Sequence, residues 1–178
     1  TCALPISLAT APTLLVVGAG HVGKALAQLG KWMNFRVVLS DDRPEFASQE
    51  HVPDLDQYLA CAPHEILDHI TVDANTYVAA VTRGLPVDKQ LLPALLKTSA
   101  RYIGLIGSRR RWAITMKALR EEFGLSDAEL QRIHAPIGLE LQAESPNEIA
   151  VSIMAEIIMV RRGGTGEPMR WYGEVNEA

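Results

Sequence analysis

Residues 13–26, TLLVVGAGHVGKAL, decide the fold, because an apolar run leads through a glycine-rich turn into a helical pattern. The run Thr13–Val17 has the length and continuous apolarity that are typical of a strand buried on both faces. Residues 21–33 then carry an apolar stripe at helical spacing, made of Val22, Ala25, Leu26, Leu29 and Met33. The stretch therefore predicts a buried strand, a tight turn and an amphipathic helix, in that order.

The turn has the pattern G-x-G-x-x-G, with glycines at Gly18, Gly20 and Gly23. Between a strand and a helix this pattern is typical of dinucleotide binding. Gly18 would make the tight turn, Gly20 would let the backbone approach a pyrophosphate, and Gly23 would let the helix pack closely. His21 lies inside the loop, where it would face bound phosphates or solvent. A tight turn that binds no ligand is the alternative.

Strand and helix patterns continue to alternate after this unit. Further strands are predicted at 36–39, 57–61, 77–81 and 102–106, and helices at 63–70, 87–97, 109–123 and from Ser145 to about Arg162. Such alternation predicts an α/β fold with a doubly wound, mainly parallel, Rossmann-like sheet, helices on both faces and an additional C-terminal helical segment. We expect a lead-in at 1–12, one domain at 13–163 and a tail at 164–178.

An acidic residue that binds ribose hydroxyls is expected at the end of the second strand of a dinucleotide-binding fold. Asp41 lies 18 positions after Gly23 and meets that expectation. A carboxylate there favours NAD over NADP, whereas Arg43, two residues later, would partly reverse the preference. A solvated acid in a turn is the alternative for Asp41.

Two more polar segments follow predicted strands, at the edge where open α/β sheets bind their ligands. Thr82 and Arg83 follow the fourth strand, and Ser108, Arg109 and Arg110 follow the fifth. Cations at a helix N-terminus oppose the helix dipole and destabilise the helix. Their presence at this edge therefore suggests a function, and an anion is the ligand that they would bind. The prediction is a phosphorylated small-molecule ligand. The alternative is that these arginines extend into solvent or pair with acids.

Composition restricts the class of protein. The 178 residues carry 17 basic and 21 acidic side chains, a net charge of −4, and 48% are hydrophobic. This balance excludes disorder, and we expect neither a nucleic-acid partner nor a membrane-spanning helix. The two cysteines, Cys2 and Cys61, form no C-x-x-C pair, which indicates an intracellular, cytoplasmic protein.

The final predicted helix is apolar on most faces, which predicts burial on more than one side, by a homodimer or another domain. Its Glu156 would lie at the solvent edge or be aimed at the crevice or a partner subunit. No catalytic residue can be assigned, because no nucleophile motif is present. The five histidines have no metal-ligand spacing, so no metal site is predicted.

Several ordered motifs together resemble the XdhC/CoxI family of accessory proteins for xanthine dehydrogenase and related molybdenum hydroxylases. They are GAGHVG from Gly18, DRPEF from Asp42, TRG from Thr82, YIGLIGSRR from Tyr102, APIGL from Ala135 and SPNEIAVSIMAEI from Ser145. The similarity extends from about residue 13 to about 163 and covers the family's Rossmann-like C-terminal domain. The family's N-terminal domain is not visible, which suggests a fragment. Leu85 stands where the family often has histidine.

The resemblance implies a role in enzyme maturation. Members of the family are thought to bind the molybdenum cofactor, protect it during sulfuration and pass it to the apo-enzyme. The cofactor is a pterin, with or without an appended nucleotide, and its phosphate would suit the glycine-rich loop and the arginines. A carrier that catalyses no reaction is therefore the leading hypothesis. The alternatives are an NAD(P)-dependent oxidoreductase and a regulatory domain that senses NAD or AMP.

Overall fold

A computed structural model describes residues 11–170 of the chain, and the alternating pattern forms one parallel sheet there. Its strands are β1 (Thr13–Val17), β2 (Arg36–Asp41), β3 (Gln57–Ala60), β4 (Thr76–Ala80), β5 (Tyr102–Leu105) and β6 (Ile133–His134). They are ordered β3-β2-β1-β4-β5-β6, and every neighbouring pair is parallel. The order reverses its direction between β1 and β4, which is where doubly wound sheets bind ligands.

The register of the central strands aligns their carboxyl ends. Val17, the last residue of β1, is paired with Ser40 in β2 and with Ala80 in β4. Both neighbours are buried, as expected for strands covered on both faces. The segments that follow Val17, Ser40 and Ala80 therefore emerge side by side at one edge of the sheet.

Helices cover both faces, so the predicted fold class is confirmed. They are α1 (His21–Trp32), α2 (Ile66–His69, after a 3₁₀ turn at Pro63–Glu65), α3 (Leu85–Leu95), α4 (Arg109–Phe123), α5 (Asp127–Leu130) and α6 (Pro146–Arg162). Ile66, Leu92 and Leu119 bring α2, α3 and α4 into the core on one face. Leu26 of α1 and Ile153 and Ile157 of α6 belong to the core on the other face.

The ends of α6 follow directly from the sequence. Ser145 caps its start by accepting a hydrogen bond from the Glu148 amide, and the Glu148 carboxylate accepts one from the Ser145 amide. Gly163 ends the helix with a left-handed backbone, at φ 72°. Among residues 11–170 no helix is long and apolar enough to cross a membrane.

Strand β6 and the position of Glu156 are among the features that differ from the sequence predictions. Strand β6 was not predicted, because two residues are too few to show a periodic pattern. Glu156 lies at none of its three predicted positions, because it is buried within the chain. One carboxylate oxygen accepts hydrogen bonds from the Tyr102 hydroxyl at 2.5 Å and the Gly138 amide at 2.7 Å, and the other contacts His134 Nδ1 at 2.8 Å. Burial favours a higher pKa for Glu156, but these hydrogen bonds outweigh it and lower the pKa. Glu156 thus joins α6 to β5 and β6.

The lead-in and the tail are only partly covered by the structure. Residues 1–10 and 171–178 lie outside the described residues, so the predicted segments 1–12 and 164–178 stay predictions. Within the described part, β1 begins at Thr13 and α6 ends at Arg162, and the domain limits 13–163 stay a prediction as well.

Candidate ligand-binding site

The three glycines of the turn between β1 and α1 occupy different surroundings. Gly18 has a φ of +105°, and a Cβ there would lie 2.5 Å from the carbonyl oxygen of Val81. A Cβ on Gly23 would overlap the carbonyl oxygen of Gly18, whereas one on Gly20 would meet nothing within 4 Å. Gly18 and Gly23 are therefore required by the packing of the turn. Gly20 faces open space, as expected for the point where a ligand approaches.

The N-terminus of α1 is open to an anion. Gly20 is its N-cap, no side chain caps it, and no acidic residue lies in its first turn. The first amides of a helix have no partner within the helix, and the helix dipole makes this end partly positive. His21, the first helical residue, is exposed beside these amides.

Asp41, predicted to bind ribose hydroxyls, is engaged within the chain. One carboxylate oxygen accepts from the Ala19 amide at 2.8 Å and from Arg43 Nη2 at 2.9 Å. The other oxygen accepts from the Arg43 amide at 3.1 Å and from Arg43 Nε at 2.8 Å. Burial favours a higher pKa, but the Arg43 side chain and the two amides outweigh it and lower the pKa of Asp41 to about 2. Asp41 and Arg43 therefore hold each other and the glycine-rich turn.

His51 contributes to the same turn and was not predicted from the sequence. Its Nε2 lies 2.8 Å from the carbonyl oxygen of Ala19. Because the Ala19 amide donates to Asp41, side chains hold both backbone polar groups of Ala19. The Phe46 ring packs between His51, at 4.9 Å between centroids, and the Arg43 guanidinium, at 3.6 Å. These residues belong to an irregular loop with no periodic pattern, so the sequence carried no signal for their contacts.

Arg83 and Asp42 form an ion pair across the carboxyl edge. Arg83 Nη2 lies 2.5 Å and 2.7 Å from the two carboxylate oxygens of Asp42. The pair links the segment after β4 to the segment after β2, with β1 between them in the sheet. The side chains remain 51% and 41% exposed, so a ligand has access to both.

Thr82 belongs to a buried cluster that ties α3 to α4. Its hydroxyl hydrogen-bonds to Asp88 and accepts from Arg111 Nη2 at 2.8 Å. Arg111 Nη2 also lies 2.8 Å from a carboxylate oxygen of Asp88, which is fully buried. A buried carboxylate needs such a partner, so Arg111 and Thr82 serve the packing of these helices.

The remaining predicted residues lie at the start of α4. Ser108 is the N-cap, and its hydroxyl accepts from the Arg111 amide at 3.1 Å. Arg109 and Arg110 are exposed, and neither forms an ion pair with any residue of the part that the structure describes. Arg109 lines a groove of about 350 Å³ whose other wall is the loop 136–143. Two unpaired cations thus stand at a helix N-terminus beside an open groove.

A second, smaller cavity lies between the ends of β1, β2, β3 and β4. Its volume is about 20 Å³, which is room for a water molecule. Its walls include Val17, Cys61, Ile66 and Val87, with Asp42 and Arg83 among the lining residues. Burial raises the pKa of the Cys61 thiol, while Ser40 beside it acts in the opposite direction. Within residues 11–170 no three His, Cys, Asp or Glu side chains are grouped to hold a metal ion.

Comparison with known proteins agrees with this architecture. A family model described as the XdhC Rossmann domain matches residues 14–157. The matched range extends from β1 into α6 and includes every residue of the site described above.

Two curated relatives carry functional names. A protein of Bacillus subtilis (strain 168), named as a probable xanthine dehydrogenase subunit, is 31% identical over 151 residues, which are 85% of this chain and 43% of that protein. The molybdenum cofactor insertion chaperone PaoD of Escherichia coli (strain K12) is 30% identical over 90 residues, which are 51% of this chain and 28% of that protein.

A solved structure from Bacillus halodurans, described as a xanthine dehydrogenase, superposes with a TM-score of 0.74 at 29% identity. The match covers 86% of this chain and 43% of that one. The chain therefore spans less than half the length of these relatives.

Proposed function

The chain belongs to the XdhC family, and from that premise we propose that it is an accessory protein for the maturation of a molybdenum hydroxylase of the xanthine dehydrogenase type. In this proposal its Rossmann-like domain binds the molybdenum cofactor and hands it over to the apo-enzyme. The names of the Bacillus subtilis and Escherichia coli relatives support this assignment.

The observation that carries the proposal is the pair of unpaired cations, Arg109 and Arg110, at the same edge of the sheet as the open turn at Gly20. A pterin cofactor carries phosphate, and both positions suit a phosphate. The turn offers unpaired amides and room for close approach, and the start of α4 offers two guanidinium groups. The residues present therefore fit the organic part of the cofactor.

The chain's own residues would bind and orient the cargo. The amides that follow Gly20 and the guanidinium groups of Arg109 and Arg110 would hold phosphate, and the groove beside Arg109 would take the part of the ligand that extends from it. Asp41 and His51 would act indirectly, by fixing the turn through Ala19. Handover would then follow when the apo-enzyme competes for the exposed side of the ligand.

The proposal includes a cytoplasmic homodimer. Trp32 at the end of α1 and Val151 of α6 are 80% and 52% exposed and line one shallow groove, where a second copy would bury them. Sedimentation equilibrium should then give twice the chain mass of 19.5 kDa. A mass of 19.5 kDa at high concentration would exclude the dimer.

An NAD(P)-dependent oxidoreductase is the second candidate, because the strand order and the glycine-rich turn are those of dinucleotide-binding domains. A sensor of NAD or AMP would use the same turn. Both alternatives predict strong nucleotide binding without any affinity for the pterin, so one binding experiment separates them from the carrier.

The experiment measures retention of the cofactor. The protein is mixed anaerobically with molybdenum cofactor extracted from a donor enzyme and passed through a desalting column, and the pterin that coelutes is quantified by fluorescence after oxidation. We expect retention by the wild type, a loss of about tenfold in the Arg109→Ala/Arg110→Ala variant, and activation of an apo-hydroxylase by the loaded protein.

Lys97→Ala/Lys117→Ala is the matched control, because it removes two exposed cations from other parts of the surface. It should retain the pterin as the wild type does. Absence of retention by the wild type, together with a clear thermal shift with NADH, would overturn the carrier function in favour of the oxidoreductase or the sensor.

A further inference from the structure

Asp41 has no acceptor position left for a ligand. An ionised carboxylate offers about four lone-pair sites. Four donors already occupy them: the amide of Ala19, the amide of Arg43, and Nε and Nη2 of Arg43. The Asp41 side chain is 3% exposed. A sugar hydroxyl could be accepted there only by displacing one of these donors, of which the Ala19 amide belongs to the glycine-rich turn.

Asp42, the next residue, has fewer hydrogen-bond donors around its carboxylate than Asp41. Its carboxylate contacts one donor atom, Arg83 Nη2, among the residues that the structure describes, and its side chain is 41% exposed. Acceptor capacity is therefore left on both oxygens. Arg83 reaches Asp42 from the far side of β1, so the pair holds this carboxylate at the rim of the crevice.

The cavity beside Asp42 marks the part of the crevice where a nucleoside would lie. Its lining is mainly apolar, with Val17, Pro63, Ile66 and Val87, and the exposed Asp42 and Arg83 form its polar rim. At about 20 Å³ the cavity itself has room only for a water molecule, so a nucleoside would lie at its mouth, against Asp42 and Arg83.

From these contacts we propose that Asp42, and not Asp41, accepts the ribose hydroxyls of a ribonucleotide-bearing ligand. Arg83 is the positioning residue that holds the Asp42 carboxylate at the rim, and Asp41 belongs to the scaffold of the turn. This inference rests on the proposed function, since it concerns the nucleotide that a pterin ligand carries at the same crevice.

The test compares ribonucleotides with their 2′-deoxy forms. ADP, CDP and GDP, each with its 2′-deoxy counterpart, are titrated calorimetrically into the full chain. With the nucleotide that binds most tightly, the wild type should prefer the ribose form by about tenfold, the effect of a hydrogen bond to a charged acceptor. Asp42→Asn should reduce this preference to threefold or less while the melting temperature changes by less than about 4 °C.

Glu121→Gln is the matched control, because it makes the same change of a carboxylate to an amide in an exposed ion pair on α4. It should keep the wild-type preference. Three results would overturn the inference: equal binding of both forms by the wild type, a preference that survives in Asp42→Asn, or no binding of any of the six nucleotides. If Asp41→Asn folds and loses the preference for ribose while Asp42→Asn keeps it, Asp41 and not Asp42 accepts the ribose hydroxyls.

The nucleotide titration contains no pterin, so its outcome is independent of the retention experiment. If ribose preference behaves as expected and the pterin is not retained, the proposed carrier function fails alone. If the pterin is retained and Asp42→Asn does not alter ribose preference, the assignment of Asp42 fails alone.

Discussion

At the scale of single residues, the glycines of the turn differ: one is required for packing, and another leaves room for a ligand. Gly23 lies against the Gly18 carbonyl, whereas Gly20 faces open space with a φ of −68° that any residue adopts. We expect Gly23→Ala to lower the free energy of unfolding by about 2 kcal/mol or more, because the added methyl forces the turn away from α1. Gly20→Ala, the matched control, should cost less than about 1 kcal/mol. Urea unfolding followed by circular dichroism measures both.

The two variants should also separate in ligand binding. Gly20→Ala places a methyl group where the ligand is expected to approach the backbone. The variant should therefore bind the extracted molybdenum cofactor more weakly while the stability of the fold is kept. Equal losses of stability in both variants would show that Gly20 is packed like Gly23 and would contradict the open turn.

Asp41 provides a pH-dependent prediction at the same scale. Its pKa is about 2 in the folded chain and about 3.9 in an unfolded one. Because the folded pKa is the lower of the two, this stabilisation is present above about pH 4 and is lost as the pH falls toward 2. Asp41→Asn should therefore unfold more easily than the wild type by about 2 kcal/mol at pH 7, with the difference shrinking toward pH 2.

Asp42→Asn is the control for Asp41, since its ion pair is exposed and should contribute less than about 1 kcal/mol. Urea denaturation at pH 7, 4 and 2.5 gives the comparison. If the deficit of Asp41→Asn is the same at all three pH values, the ionised carboxylate is not what holds the turn.

Residue roles were predictable where the backbone alone determines them. The spacing G-x-G-x-x-G identified Gly18 and Gly23, because their places in the turn leave no room for a Cβ, whereas the role of Gly20 toward a ligand stays a prediction. The partners of Asp41 were not predictable from the sequence. Arg43, the Ala19 amide and a ligand can all donate to its carboxylate oxygens, and only the distances in the structure show which of them do. His51 reaches Ala19 from 32 positions away through an irregular loop.

At the scale of elements, apolar runs and capped helices were predictable, whereas the two-residue strand β6 and the directions of polar side chains were not. Strand β1 and helix α4 occupy the predicted residues, and the Ser145 cap starts α6, because continuous apolar runs and capping residues are local signals. The orientation of Arg111 required the tertiary structure. Three consecutive arginines look alike in sequence, and only the helix turn directs the third toward Asp88.

Arg111 and Arg110 should therefore behave differently as parts of α4. Arg111→Met leaves the Asp88 carboxylate buried without its partner, which should cost about 3–5 kcal/mol of stability. Arg110→Met removes an exposed cation and should change stability by less than about 0.5 kcal/mol. Chemical denaturation measures both, and adding Asp88→Asn to Arg111→Met should recover part of the loss. Equal stability of the two single variants would show that the Asp88 ion pair does not join α3 to α4.

At the scale of the whole molecule, the chain carries a net charge of −4 yet is proposed to bind an anion. The two facts agree if binding depends on local charge, since the screening length is about 8 Å at physiological salt. Arg109 and Arg110 lie at the edge where β1 and β5 end. Lys117 is eight residues further along α4, about 12 Å away at 1.5 Å per residue, and Lys97 follows the opposite end of α3.

Two variants with the same net charge test whether local or total charge governs binding. Arg109→Ala/Arg110→Ala and Lys97→Ala/Lys117→Ala each lower the charge by two units. If local charge governs, the first variant alone should bind the extracted molybdenum cofactor more weakly and lose most of the salt dependence between 20 and 500 mM NaCl, because the phosphate contacts that salt screens are gone. The second should match the wild type at every salt concentration, since exposed lysines beyond the screening length barely alter the potential at the crevice. If both variants weaken binding equally, the net charge of the molecule controls the approach of the ligand, and the start of α4 is not its binding site.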